Sequence, residues 1–248
     1  MNRIRVAIAG MALGLVCAVT PAQVPVVKTQ APGFYRLMVG AFEVTALSDG
    51  TAKLTVTPFL THISAAEVKR ELARAYLRDP VDMSINAFLI NTGAGGALGP
   101  DTGQLLANLK AAGYSPGQID EIYITHMHGD HIGGLAAGGV AAFPHAIVRA
   151  SRLEADYWLN PDNLSTASAD TREGMQMAFA ALNPYTQGGR FSTFEDGATL
   201  VPGIRAIASH GHTPGHTSYL IESNAERMLV LGDLVHLAQC SFHIPQWP

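Results

Sequence analysis

Apolar and polar positions change their period several times along this chain, and each change predicts an element. The stretch FYRLMVGAFEVTALSDG, residues 34–50, alternates well enough to predict two short strands with a turn at Val39-Gly40, closed by Ser48-Asp49-Gly50. Ser64-Ala65-Ala66-Glu67 reads as a capping box that opens an amphipathic helix, AAEVKRELARAYLRD, stopped by Pro80. Residues 84–91 (SINAFLIN) predict a strand, and QLLANLKAAG, ending at Gly113, predicts a helix. A further strand is expected at QIDEIYIT, residues 118–125, and another at AIVRA, residues 146–150. Ser151 to Glu154 reads as a second capping box, opening a helix through EADYWL, and TREGMQMAFAAL as a third helix. Strands return at FEDGATLVPGIRAIAS, TSYLIES and RMLVLGD. Strands and helices mixed in this order suggest sheets packed together and covered by helices.

The first 22 residues follow another rule. Arg3 and Arg5 precede an apolar run from Val6 to Val19, followed by Thr20-Pro21-Ala22. That is the layout of a secretory signal peptide cut after Ala22. The run is too short for a membrane span, which needs ~20 apolar residues. Cys17 lacks the small neighbour expected beside a lipidated cysteine. Residues 23–33, rich in proline, read as a tether, and residues 34–248 as one domain. The mature protein is therefore expected in the periplasm or outside the cell, free of the membrane once the leader is gone.

Charge and cysteine content narrow the function classes. The whole chain has 16 basic and 20 acidic residues, and loss of Arg3 and Arg5 with the leader takes its net charge from −4 to −6. Nucleic acid is thus not an expected partner. Of the 2 cysteines only Cys240 survives cleavage, so no internal disulfide is expected. The glycine-rich stretch TGAGGALGPDTG, residues 92–103, resembles a nucleotide-binding loop only superficially, because the register that Gly93 and Gly95 set up meets Leu98 where glycine is required.

Candidate chemistry concentrates in THMHGDHIGGL, residues 125–135, where His126, His128, Asp130 and His131 follow a predicted strand. Imidazole and carboxylate together suit borderline divalent ions, zinc above all. His126 and His128 leave the strand end on the same side and can grip one ion. Asp130 and His131, too near in sequence to fold back, face a second. Two ions at ~3.5–4 Å share a bridging water and make it nucleophilic. Further donors are available in SHGHTPGHTSY, with His210, His212 and His216, and in LVLGDLVH, where Asp233 follows an apolar strand.

The pattern His126-x-His128-x-Asp130-His131, then Thr213-Pro214-Gly215-His216, then Gly232-Asp233, resembles the metallo-β-lactamase superfamily of dinuclear hydrolases. Within it, APGFYRLMVGAFEVTALSDGT, INAFLINTG and GDLVH resemble the branch of methyl parathion hydrolases and exported lactonases. The resemblance implies an α/β fold, the αβ/βα four-layer sandwich, here expected in an incomplete form. It implies that His126, His128 and His216 hold one Zn2+ ion and that Asp130, His131 and a bridging Asp233 hold the other. Asp130 then orients the bridging hydroxide and takes its proton during attack on an ester, lactone or phosphotriester. A β-lactamase of the same superfamily shares the metal cluster and is one alternative.

Two departures from the family pattern favour another alternative, an inactive metal-binding remnant. The family's further histidine, expected downstream of the bridging aspartate, has only His236 and His243 as candidates, so the chain reads as truncated and the second ion as weakened. The apolar strand expected after NTG is replaced by the glycine-rich stretch that ends in Asp101-Thr102-Gly103. His212 reads as a turn or supporting residue rather than a ligand, and Asp49 as a turn residue that touches the metal loop. Trp158 and Phe179 are candidates to line an apolar pocket for a small-molecule substrate. A second copy of the chain, forming a homodimer, is the other partner considered.

Overall fold

The computed structural model describes residues 31–60, 63–88 and 101–236. The expected leader, the tether up to residue 30, the glycine-rich stretch up to residue 100, His62, Cys240 and His243 lie outside the described residues. The chain divides at Ala31/Pro32, and the elements below all belong to the unit that begins at Pro32.

Strands β1 (Phe34–Val39) and β2 (Phe42–Leu54) form an antiparallel hairpin, and β3 (Val81–Phe88) pairs with the other side of β2. The helices α1 (Ala65–Arg74) and α2 (Leu105–Ala111) come next, then β4 (Glu121–Tyr123), the single turn α3 (Gly129–Ile132) and a small ribbon of β5 (Ala136–Ala137) and β6 (Val140–Ala141). Strand β7 (Ile147–Ser151) lies parallel between β4 and β8 (Phe191–Phe194), and α4 (Arg152–Trp158), α5 (Pro161–Thr166) and α6 (Ala169–Gln187) fill the crossover. The last strands, β9 (Thr199–Val201), β10 (Ile204–Ala208), β11 (Thr217–Ser223) and β12 (Glu226–Val230), form an antiparallel sheet in the order β12-β11-β10-β9.

Two apolar layers explain why these elements stack. Alternate residues of β1, β2, β4, β8, β10, β11 and β12, among them Val44, Tyr123, Phe194, Tyr219 and Ile221, close one layer between the sheets. The opposite faces of β4 and β7, through Ile122 and Val148, meet Leu109 of α2 and Met175, Ala178 and Leu182 of α6 in the second. Each such large side chain withdrawn from water contributes ~1.5–3 kcal/mol. Tyr185 of α6, wholly buried, donates from its hydroxyl to the Leu135 carbonyl and accepts from the Phe143 N–H, which ties the helix to the chain just beyond α3. Among the described residues the far face of the last sheet leaves Arg205 and Leu229 exposed, and α1 packs through Val68 and Leu72 against Val56 and Val81.

Several boundaries differ from the sequence expectations, each for a visible reason. Helix α1 ends at Arg74, well before Pro80: Tyr76 turns left-handed (φ 59°), and the N–H groups of Tyr76 and Leu77 close on the carbonyls of Ala73 and Leu72 at 3.1 and 2.8 Å. Ser48-Asp49-Gly50 does not close β2. The strand bulges there and runs on to Leu54, while Asp49 turns inward, fully buried, and accepts from the N–H groups of Gly103 and Leu105. Asp49 is therefore the carboxylate that caps α2 from a neighbouring strand. Strand β4 is only three residues long, because residues 116–118 form a 3-10 turn and the chain leaves the sheet after Ile124 to build the histidine loop.

Candidate metal centre

The histidine loop begins where the parallel ladder ends. Ile124 still donates to the Arg149 carbonyl of β7, at 2.9 Å, and Thr125 accepts from the Thr217 N–H of β11, also at 2.9 Å. The chain then alternates: Met127, 0% exposed, plugs into the core, while His126 and His128 on either side turn toward the centre. Trp158 stands edge-on to the His128 ring, with centroids 5.2 Å apart, and is itself buried at 5% exposure. Its place is beside the loop, where it packs against the His128 ring. Phe179 is half-buried on α6, and Met177 of the same helix lies over Gly129.

The second capping box expected from the sequence does not form. Ser151 makes no side-chain cap, and Glu154, 1% exposed, points the other way. Its carboxylate accepts from the Met127 N–H at 2.8 Å, the Thr213 hydroxyl at 2.7 Å and the Gly215 N–H at 2.8 Å. One buried acid on α4 thus fastens both histidine-bearing loops. Burial pushes its carboxyl upward, against the pull of the three donors. Gly215 is required for this approach, since a side-chain carbon there would lie 2.2 Å from the Glu154 nitrogen. Sequence reasoning missed Glu154 because its spacing from Ser151 has a local explanation.

Four of the six expected ligands, His126, His128, His131 and Asp233, fall in donor sets suited to a cation, while Asp130 and His216 stand against the cluster in none of them. His126 Nε2 and His128 Nδ1 are 3.1 Å apart, and the third vertex of their triangle is His212 Nε2, at 3.2 and 3.0 Å. His212 is therefore at the centre and not a turn residue behind it. His216 instead accepts the Asp233 backbone N–H on Nε2 at 3.0 Å, leaving Nδ1 to donate to Ser209 Oγ at 2.8 Å. Its ring lies 5.1 Å from that of His126. Gly232 enables the contact: with φ +62°, it approaches so closely that a side-chain carbon would lie 2.7 Å from His216 Nε2.

Asp233 is the hub. Its Oδ1 lies 3.1 Å from His131 Nε2, and its Oδ2 lies 3.1 Å from His236 Nε2, 3.5 Å from His212 Nε2 and 3.8 Å from His126 Nε2. Asp130 reaches the group through His131, at 3.4 Å. Among the described residues three donor sets suited to a cation result: His126, His128 and His212; His126, His131 and Asp233; His212, Asp233 and His236. His145 and His210 belong to none of the three, and His210 pairs with Asp196 at 3.3 Å.

Protonation follows from these neighbours. Burial first, and neighbouring imidazoles second, hold His126 and His128 below the usual histidine range. Burial brings His212 and His216 down to about 4. For His131 burial is the largest effect and acts downward, yet the bonds to Asp130 and Asp233 together lift it to about 10. Burial would likewise raise Asp233, but the His131 and His236 bonds hold its carboxyl far below the usual range.

The donor set fits a metal ion. A neutral ring nitrogen either donates one hydrogen or accepts one, so three ring nitrogens in mutual contact at 3.0–3.2 Å leave at least one pair repelling. A cation removes that repulsion. Four donors set tetrahedrally at ~2.0–2.1 Å around zinc stand about 3.3 Å from one another, close to the separations found here.

Comparison with known proteins follows the same line. The family model described as the metallo-beta-lactamase superfamily matches residues 83–245. A solved hydrolase, AbOPH of the beta lactamase superfamily, is 36% identical over 84% of this chain and 76% of its own, with a TM-score of 0.78. AidC, a dizinc quorum-quenching lactonase, is 26% identical over 79% of this chain and 73% of its own, with a TM-score of 0.65. The N-acyl homoserine lactonase of Bacillus cereus is 28% identical over 130 residues, 52% of this chain and 43% of its own length. The chain spans less than half the length of the curated relatives it matches.

Proposed function

The chain belongs to the metallo-beta-lactamase superfamily, and from that premise we propose that it is a metal-dependent hydrolase of a neutral ester-like bond, a lactone in the first place and a phosphotriester in the second. One observation carries the reading: the triangle of His126, His128 and His212 nitrogens beside the Asp233 carboxylate is a donor set that a cation satisfies and hydrogen bonds do not. The lactone class is supported by the relatives named as lactonases.

Divalent cations, when bound, supply Lewis acidity and a nucleophilic water at neutral pH. His126, His128, His131, His212 and Asp233 are the residues that would hold them. The remaining work belongs to the chain. Asp130 is opposed by burial, but the His131 bond holds its carboxyl below the usual range, so it is ionised and able to accept the proton of an attacking water. Asp233 keeps the His131 and His236 rings aimed inward. Glu154 holds the two loops in register, and Ser209 fixes the His216 tautomer by accepting from Nδ1. Trp158 packs edge-on against the His128 ring.

Purified chain supplied with zinc, assayed against an acyl-homoserine lactone, a phosphotriester and a nitrocefin-type β-lactam, tests the reading. Lactone hydrolysis that disappears in Asp233→Ala is expected. Turnover of the β-lactam alone would make the chain a β-lactamase, and bound metal without any turnover would make it a remnant. Export is part of the same proposal. N-terminal sequencing of the mature protein should begin at Gln23, and a mature chain beginning at Met1 would exclude it.

A further inference from the structure

Among the described residues His236 belongs to one donor set, that of His212 and Asp233. Its Nε2 lies 3.1 Å from Asp233 Oδ2, and His212 Nε2 lies 3.5 Å from the same oxygen. The two rings stand 5.0 Å apart, tilted at 58°. Two imidazole nitrogens and one carboxylate oxygen are a donor set for a borderline divalent ion, and separations of 3.1 and 3.5 Å bracket the edge of about 3.3 Å expected around tetrahedral zinc. Both side chains are part-exposed, at 33% and 23%, so this face opens outward, unlike the buried His126.

A simple ion pair between His236 and Asp233 does not account for His212. That nitrogen meets two ring nitrogens at 3.0 and 3.2 Å as well as the Asp233 oxygen, and its one possible hydrogen can serve a single acceptor. His212 Nε2 has a single lone pair, so a cation held there with Asp233 and His236 withdraws it from the His126 and His128 nitrogens and relieves their crowding.

We propose that His236 is a metal ligand of this chain, binding a divalent cation together with His212 and Asp233 on the outward side of the centre. This rests on the metal-dependent reading above and adds to it a donor from the turn after β12, in a set with His212 that the resemblance does not give. His236 would act from only three residues beyond Asp233, so the hub and the added ligand travel on one short turn.

The test is metal content and affinity of the full chain, by elemental analysis after desalting and by competition titration with a zinc chelator. His236→Gln and His212→Gln are compared with His210→Gln, whose ring pairs with Asp196 outside the centre. Cobalt(II) absorption spectra report the ligand field of each protein independently of turnover. Expected results are loss of one ion per chain, or an affinity lower by at least ~100-fold, in His236→Gln and His212→Gln, with a changed cobalt spectrum. His210→Gln should match the unsubstituted chain. Unchanged stoichiometry, affinity and spectrum in His236→Gln overturns this inference and leaves the hydrolase reading intact. A chain that binds no metal at all overturns both. Melting of the metal-free proteins identifies a variant that has merely failed to fold, in which case His236→Asn replaces it.

Discussion

The floor of the centre and its rim each contain one acid, Glu154 buried at the floor and Asp233 part-buried at the rim, and the two acids meet opposite kinds of neighbour. Glu154 at the floor faces two backbone N–H groups and a hydroxyl, all neutral donors, and burial raises its carboxyl. Asp233 at the rim faces imidazoles, and the bonds from His131 and His236 overcome the same burial effect to hold it ionised. The difference separates two tasks. A carboxylate among neutral donors spends its capacity on joining segments of backbone, while one among titratable rings exchanges charge with whatever occupies the centre.

The sharpest way to break the comparison is at the floor. Glu154→Ala strands three donors, each costing ~1–3 kcal/mol when left buried and unpaired, so a loss of at least about 3 kcal/mol is expected in urea unfolding of the metal-free chain. Glu154→Gln should lose visibly less. Equal stability of Glu154→Ala and the unsubstituted chain would show that the acid does not join the loops. At the rim, Asp233→Asn should cost the metal-free chain less stability than Glu154→Ala does, while reducing metal affinity by ~100-fold, about 2.7 kcal/mol. A stability loss at the rim as large as that at the floor would erase the distinction.

Smaller effects sharpen the contrast. Ser209→Ala removes the acceptor of His216 Nδ1 and should weaken metal binding by ~10-fold, seen in the same chelator competition. The pH behaviour is specific to the rim. His131, raised to about 10 from 6.5, contributes stability to the metal-free chain that is complete below about pH 6.5 and is lost as pH rises toward 10. Metal uptake near pH 7.5 should therefore release a proton from His131, because a ligand imidazole must be neutral. Calorimetry in buffers of different ionisation enthalpy measures that release, and a binding heat independent of buffer would contradict it.

How far the centre was legible depends on how local each interaction is. His126, His128, Asp130 and His131 sit within one turn after a strand, and their spacing alone announces metal chemistry. Glu154 was legible only as a helix cap, since its true partners, Met127, Thr213 and Gly215, lie 27 to 61 residues away. Asp49 was misread for the same reason: Ser-Asp-Gly suggests a turn, but the Gly103 and Leu105 N–H groups that it satisfies are more than 50 positions downstream. His212 and His216 carry the same side chain four positions apart, and nothing in their spacing says which ring nitrogen meets His128.

By itself the sequence determined the alternation that makes the sheets, the amphipathic helices that cover them, and the set of imidazoles and carboxylates that names a divalent cation as the expected occupant. These follow from side-chain type and short-range periodicity. The tertiary structure alone decided that His216 turns to the Asp233 backbone, that His212 completes the His126 and His128 triangle, and that Glu154 binds two loops together. Those outcomes depend on distances between segments far apart in the chain, and such distances are set by how β4, β11 and β12 pack through their shared apolar layer.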